Sequence, residues 1–172
     1  MSTTYSLAQL NTLPVADFVA ALGGIFEHSP WVAEQVVGMR PFSNLDNLHS
    51  AMCAEVAAAG HAAQLALIQA HPELAGKAAM RKELTAESTK EQAGAGLDQC
   101  SPEEFARLNQ LNSQYKQKFG FPFILAVRGF DRAGILREFE RRVHLDPKDE
   151  MHECLQQINK IARFRLNDLV TE

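Results

Sequence analysis

The stretch from His71 to Gln92 carries groups that can transfer protons and hold a polar ligand. It opens with His71-Pro72-Glu73-Leu74-Ala75-Gly76-Lys77 and closes with Glu87-Ser88-Thr89-Lys90-Glu91-Gln92. The proline disfavours helical backbone at His71, which sets the imidazole at an element boundary in extended geometry. Ser88, Glu91 and Gln92 stand at i, i+3 and i+4, so on a helix they share one face. An imidazole at a chain corner opposite a hydroxyl, a carboxylate and an amide suits general acid–base work. The same residues also have a plain structural reading. Ser-x-x-Glu is a capping-box pattern, and His-Pro is a common exit from a helix. Spacing alone leaves both readings open.

Further candidates lie toward the C-terminus. At 100° per residue, Met151, Cys154, Leu155, Ile158, Ile161, Ala162, Leu166 and Leu169 form one apolar stripe. Arg165 falls inside that stripe and Arg163 outside it. A guanidinium directed at a core cannot shed its charge, so an anionic or richly accepting group must meet it: Glu91, a ligand, or both. Snorkelling to water from the stripe edge is the alternative. Upstream, Phe105, Leu108, Tyr115 and Phe119 form a stripe with Leu111 at its edge, and Asn112 sits within it. A buried amide and phenol need partners, either to orient catalytic groups or to tie the helix to a neighbour. The segment Lys118-Phe119-Gly120-Phe121-Pro122-Phe123-Ile124 sets Gly and Pro among aromatics. Such a loop can present backbone amides inside an apolar pocket, or serve as a packed connection.

Other chemistries find less support. There is no Walker loop, no GxGxxG and no His-Glu-x-x-His. Asp46-x-x-His49 and Asp149-x-x-His152 have metal-ligand spacing but begin helices where acids are expected, so no metal is assigned. Cys53, Cys100 and Cys154 are three and scattered, as expected of free thiols in a reducing compartment.

The elements that must position these residues read as helices nearly throughout. Helical spacing is expected from Leu10 to Leu22, with Pro14 in the first turn, and Gly23-Gly24 stops it. Ser29-Pro30-Trp31 reads as an N-cap with Pro at N1, opening a helix to about Met39. Asn44 or Asp46 caps the next helix, to about Gly60, and another follows to about Ala70. Ser101-Pro102-Glu103-Glu104 is a helix start, and Gly120 ends that helix. Asp131 opens a helix to about Val143, and Asp146-Pro147 opens the last, to about Val170. Residues 121–127 read as extended with no second strand to pair with. The expected fold is all-α, a single domain over residues 1–172 built of about seven to nine helices.

The chain has 172 residues, 46% hydrophobic and 22% charged, with net charge −4. That is ordinary for a soluble globular domain. Without a basic block, nucleic acid is not an expected partner. No apolar run reaches about 18 residues, so no membrane span is expected. No secretory signal is read, and a cytoplasmic location is the expectation.

Taken together, several pieces resemble one family: 2-oxo-4-hydroxy-4-carboxy-5-ureidoimidazoline decarboxylase, which completes the route from urate to allantoin. They are Arg40-Pro41-Phe42, His71-Pro72-Glu73-Leu74-Ala75, Ser88-Thr89-Lys90-Glu91-Gln92, Asn112-x-x-Tyr115, residues 118–124 and Phe164-Arg165-Leu166. The resemblance covers essentially the whole chain. It departs at Glu73, where the family usually has Asp, and at Phe164, often Leu. The resemblance implies an all-α fold, no cofactor, often a homodimer, and a small ureidoimidazoline as substrate. It also implies a site in which His71, Glu91 and Arg165 are catalytic. Pro72, Ser88, Gln92 and the loop residues Phe121, Phe123 and Ile124 would bind substrate. The chemistry asks for no more. Loss of CO2 leaves an electron pair that the neighbouring ring C=N accepts, and the resulting enol becomes a ketone once a proton reaches the adjacent carbon. A non-catalytic ureide-binding or partner-binding module and a metal-dependent cyclic-ureide hydrolase are the competing expectations.

Overall fold

The computed structural model describes residues 3–172. In chain order the elements are β1 (Tyr5–Ser6), α1 (Leu7–Thr12), α2 (Val15–Leu22), α3 (Trp31–Val36), α4 (Leu45–Ala58) and α5 (His61–Ala70). There follow α6 (Lys77–Met80), α7 (Ala86–Gly94), α8 (Pro102–Phe119), α9 (Arg132–Arg142), α10 (Pro147–Leu169) and β2 (Val170–Thr171). Short 3-10 turns occupy Val37–Met39 and Leu97–Gln99. The fold is all-α, as expected. Three of the ten α-helices among the described residues have six residues or fewer. The single sheet among them is a parallel pairing of Tyr5 with Val170 and Ser6 with Thr171. Strands of two residues carry no alternation for the sequence to reveal. Among the described residues no single helix is long and apolar enough to cross a membrane.

Two local expectations are corrected. The helix expected from Leu10 to Leu22 is two helices, because Pro14 lacks an N–H and drives Leu13 to extended backbone, with ψ 145. Ser29 does not cap α3 with its side chain. Its hydroxyl donates to the Glu27 carbonyl at 2.8 Å, and Pro30 stands at the cap position. The remaining starts follow the sequence. The Asn44 side chain caps α4, Asp131 caps α9, and Ser101 with Glu104 forms a complete capping box on α8. Gly120 closes α8 at φ 77, a left-handed conformation that glycine adopts without a Cβ penalty.

Packing groups the chain into two compact units. The first comprises the chain to Ala70 together with Asn159–Glu172, and the second is His71–Ile158. In the first unit Leu10, Phe18, Leu22, Val32, Val36, Leu48, Met52, Ala162 and Leu166 are buried. Arg40-Pro41-Phe42 fastens the chain there. The Arg40 guanidinium donates to the carbonyls of Leu10 and Leu13, and the Asn11 amide pairs with both backbone groups of Phe42. In the second unit Leu108, Leu111 and Tyr115 bury one face of α8. Tyr115 is ringed by Phe119, Phe121, Phe123 and Phe139, with centroids 4.5 to 6.0 Å away. Edge and tilted contacts of this kind add to the area such rings bury.

Candidate active site

His71 follows directly on α5 and is only 7% exposed. The turn after it is clamped. The Ala75 N–H donates to Gln92 Oε1 at 3.0 Å, and the Leu74 carbonyl accepts from Asn112 Nδ2 at 3.0 Å. These are the two polar groups of one peptide plane, held from α7 on one side and α8 on the other. Gln92 Nε2 also donates to the Glu73 carbonyl at 3.3 Å. The restraint is needed because Ala75 sits at φ 49, a left-handed conformation that costs a residue with a Cβ about 1–2 kcal/mol. At Gly76 an added Cβ would stand 2.8 Å from Glu73 Cβ, so the turn also requires glycine there.

Helix α7 presents the rest of the set. Thr85 caps it, its Oγ1 accepting from the Ser88 N–H at 3.2 Å, so Ser88 lies one turn inside the helix and is not the cap. The capping-box reading of Ser88-x-x-Glu91 is thereby excluded. Ser88 and Gln92 are both buried, one turn apart on the inner face, and Glu91 beside them is half-buried. The structure thus brings His71, Pro72, Ser88, Glu91 and Gln92 into one unit and ties the histidine's turn to α7 through Gln92. An amide offers two donors and two lone pairs, so this use leaves Gln92 capacity for a ligand. Thr85→Ala should lower stability by about 1 kcal/mol through loss of the cap, read as the shift in urea midpoint at unchanged m.

The 121–127 loop belongs to the same unit and is buried along its length. Its backbone is held from behind. The Ala126 N–H donates to Gln157 Oε1 at 3.1 Å, and the Ile124 carbonyl accepts from Arg142 Nη1. Arg142 is fully buried and its guanidinium lies 4.4 Å above the Phe123 ring. Its Nε donates to Glu150 Oε1 at 2.8 Å, and the same oxygen accepts from the Tyr115 hydroxyl at 2.5 Å. Desolvation opposes the charge on Arg142, but the hydrogen bonds and attraction of Glu150 outweigh it, so its pKa rises. Burial, with Cys154 and Glu150 adjacent, drives the Tyr115 phenol far above its usual range, so it remains a donor. Cys154, at the foot of this cluster, is pushed up to about 11 by burial and is no thiolate. This network was not singled out from the sequence. The signal was present, since Ile135, Phe139 and Arg142 stand at i, i+4 and i+7 on one face of α9.

In the first unit Arg165 is 6% exposed, on the inward face of α10, while the Arg163 side chain is about one-third exposed. Glu27 is a carboxylate that meets Arg165, with Nη2 to Oε2 at 2.8 Å, and Nη1 donates to the Gly24 carbonyl at 3.1 Å. Glu27, itself 2% exposed, was missed in the sequence, hidden by its apolar neighbours Ile25 and Phe26. Arg163 bonds Asn167 and pairs with the exposed Asp46. His49, the other half of the weighed Asp46-x-x-His49 pattern, uses Nε2 on the Asn159 carbonyl at 2.8 Å.

Comparison with known proteins gives these observations a family. The profile described as OHCU decarboxylase matches residues 11–167. The chain is 39% identical over 164 residues to the 2-oxo-4-hydroxy-4-carboxy-5-ureidoimidazoline decarboxylase of Mus musculus, covering 95% of this chain and 92% of that one. It is 42% identical over 161 residues to the enzyme of the same name from Haloferax volcanii, covering 94% of each. A crystal structure of (S)-allantoin synthase superposes with TM-score 0.78 at 31% identity, over 96% of this chain and 54% of that one. A profile match across most of the chain and relatives of this identity along nearly their whole length place the chain in the 2-oxo-4-hydroxy-4-carboxy-5-ureidoimidazoline (OHCU) decarboxylase family.

Proposed function

We propose that this chain is a carboxy-lyase that decarboxylates 2-oxo-4-hydroxy-4-carboxy-5-ureidoimidazoline to (S)-allantoin in urate degradation. The observation that carries the proposal is the near full-length likeness to decarboxylases of that name. The buried His71, whose following turn is tied to α7 through Gln92, supports the assignment of groups.

In this reading His71 is the general acid–base on the hydroxyl and carboxylate side of the substrate, since an imidazole titrates near working pH. Glu91 holds the imidazole or a ring N–H and shares the proton transfer. Ser88 and Gln92 hold the ureido arm, and backbone amides near Phe121, Phe123 and Ile124 read the remaining amide groups. Pro72, next to the histidine, belongs to the substrate-binding set. Arg165 offers fixed N–H donors to an oxygen on which negative charge develops, where a preorganised donor is most effective. The electron pair left by CO2 moves into the substrate's own C=N, and the proton is then delivered to the adjacent carbon. Circular dichroism of freshly generated urate-oxidation product tests the proposal. Adding the protein should produce the signal of one allantoin enantiomer well ahead of the spontaneous reaction. No change in rate, or racemic product at the spontaneous rate, would refute it. Prior treatment with a chelator should leave the rate unchanged, which separates this reading from a metal-dependent hydrolase.

A further inference from the structure

We infer that Glu27 is a positioning residue for the reaction, acting through Arg165; the inference rests on the reading of Arg165 given above. An arginine carries several rotatable bonds and a charge it cannot lose. On a residue only 6% exposed, the guanidinium needs both a counter-charge and a fixed plane. The turn between α2 and α3 supplies both. Glu27 Oε2 stands 2.8 Å from Nη2, and the Gly24 carbonyl accepts from Nη1 at 3.1 Å. Two acceptors three residues apart on one turn thus hold the two terminal nitrogens, which sets the plane and direction of the whole group.

The carboxylate is itself secured. Glu27 is 2% exposed, and its carbonyl accepts from the Ser29 hydroxyl at 2.8 Å. The residue that follows, His28, takes a left-handed φ of 47, uncommon for a residue with a side chain. The turn therefore keeps Glu27 inward at some backbone cost. Stability alone gives weak reason for this arrangement, because an apolar pair of like volume commonly serves a core as well as a buried ion pair does. A donor that must meet developing charge does have to be oriented before the reaction begins, and a misplacement of about 1 Å can cost about 10²-fold in rate.

The test is a double-mutant cycle on kcat/KM, with urea unfolding of every variant alongside. Arg165→Gln should lower kcat/KM by about 10². Glu27→Gln should lower it by about 10- to 100-fold. The double variant should fall no more than about twofold below Arg165→Gln alone, because a positioning residue has nothing left to position. Glu27→Asp, which keeps the charge and shortens its reach, gives the same answer should Glu27→Gln not fold: it should lose rate while unfolding near the wild-type midpoint. Arg163→Ala, the partly exposed neighbour, should match wild type. If Arg165→Gln collapses turnover while folded Glu27 variants keep wild-type kcat/KM, or if the two losses multiply, the inference is overturned and the reading of Arg165 stands. If Arg165→Gln keeps wild-type turnover, both fall.

Discussion

His71→Ala should lower kcat by about 10²- to 10⁴-fold with only a modest rise in KM. Positioned acid–base catalysis is worth that range, and an imidazole contributes little uniform binding to a polar ureide. The structure makes the variant a fair test. His71 is buried at the end of α5, and the turn after it is fastened by Asn112, Gln92 and Gly76. Removing the ring should leave that turn standing. The measurement is a steady-state assay on freshly formed substrate, with the urea midpoint as a check on folding. A folded His71→Ala protein with near-normal kcat would remove the histidine from the mechanism, and a loss confined to KM would make it a binding group only.

The largest expected effect on stability is at Glu150. Glu150→Ala should destabilise the protein by about 3–5 kcal/mol, because it leaves Arg142 buried with no carboxylate beside it. Both side chains are fully buried, and Glu150 Oε1 accepts from Arg142 and from Tyr115 at once. Against a typical total of about 5–15 kcal/mol, such a loss should be plain in urea unfolding. A double variant, Arg142→Met with Glu150→Leu, reverses the expectation. With both charges gone it should be clearly more stable than Glu150→Ala, since the penalty arises from the orphaned charge and not from absence of the pair. If both variants unfold at the same midpoint, lost packing dominates and the charge argument fails. Because Arg142 also bonds the Ile124 carbonyl, the double variant should cost activity even where it restores stability. That loss would show that the loop has to be held in place.

Some helix starts were legible because a short side chain satisfies free N–H groups locally, though the Thr85 cap of α7 was not among them. Asn44, Ser101 and Asp131 stand where expected, and each bond spans about one turn of chain. Arg165 was legible as an inward charge because the apolar stripe of α10 has a period that the residue order carries by itself. The family was legible too, since its motifs are runs of adjacent residues.

What only the tertiary structure decided is pairing across distance. The sequence marked Arg165 as needing an anion, yet one partner, Glu27, lies 138 positions earlier and nothing local singles it out. Tyr115 and Asn112 were marked as buried polar groups in want of partners. Their partners, Glu150 and the Leu74 carbonyl, emerge only when α8 packs between segments far apart in the chain. Ser88 could be read as a cap or as an interior group until Thr85 was seen to take the capping position. The physical reason is one of range. Caps and periodicities act within a turn or two of chain, whereas the partner of a buried charge is whichever group the packed core brings within about 3 Å.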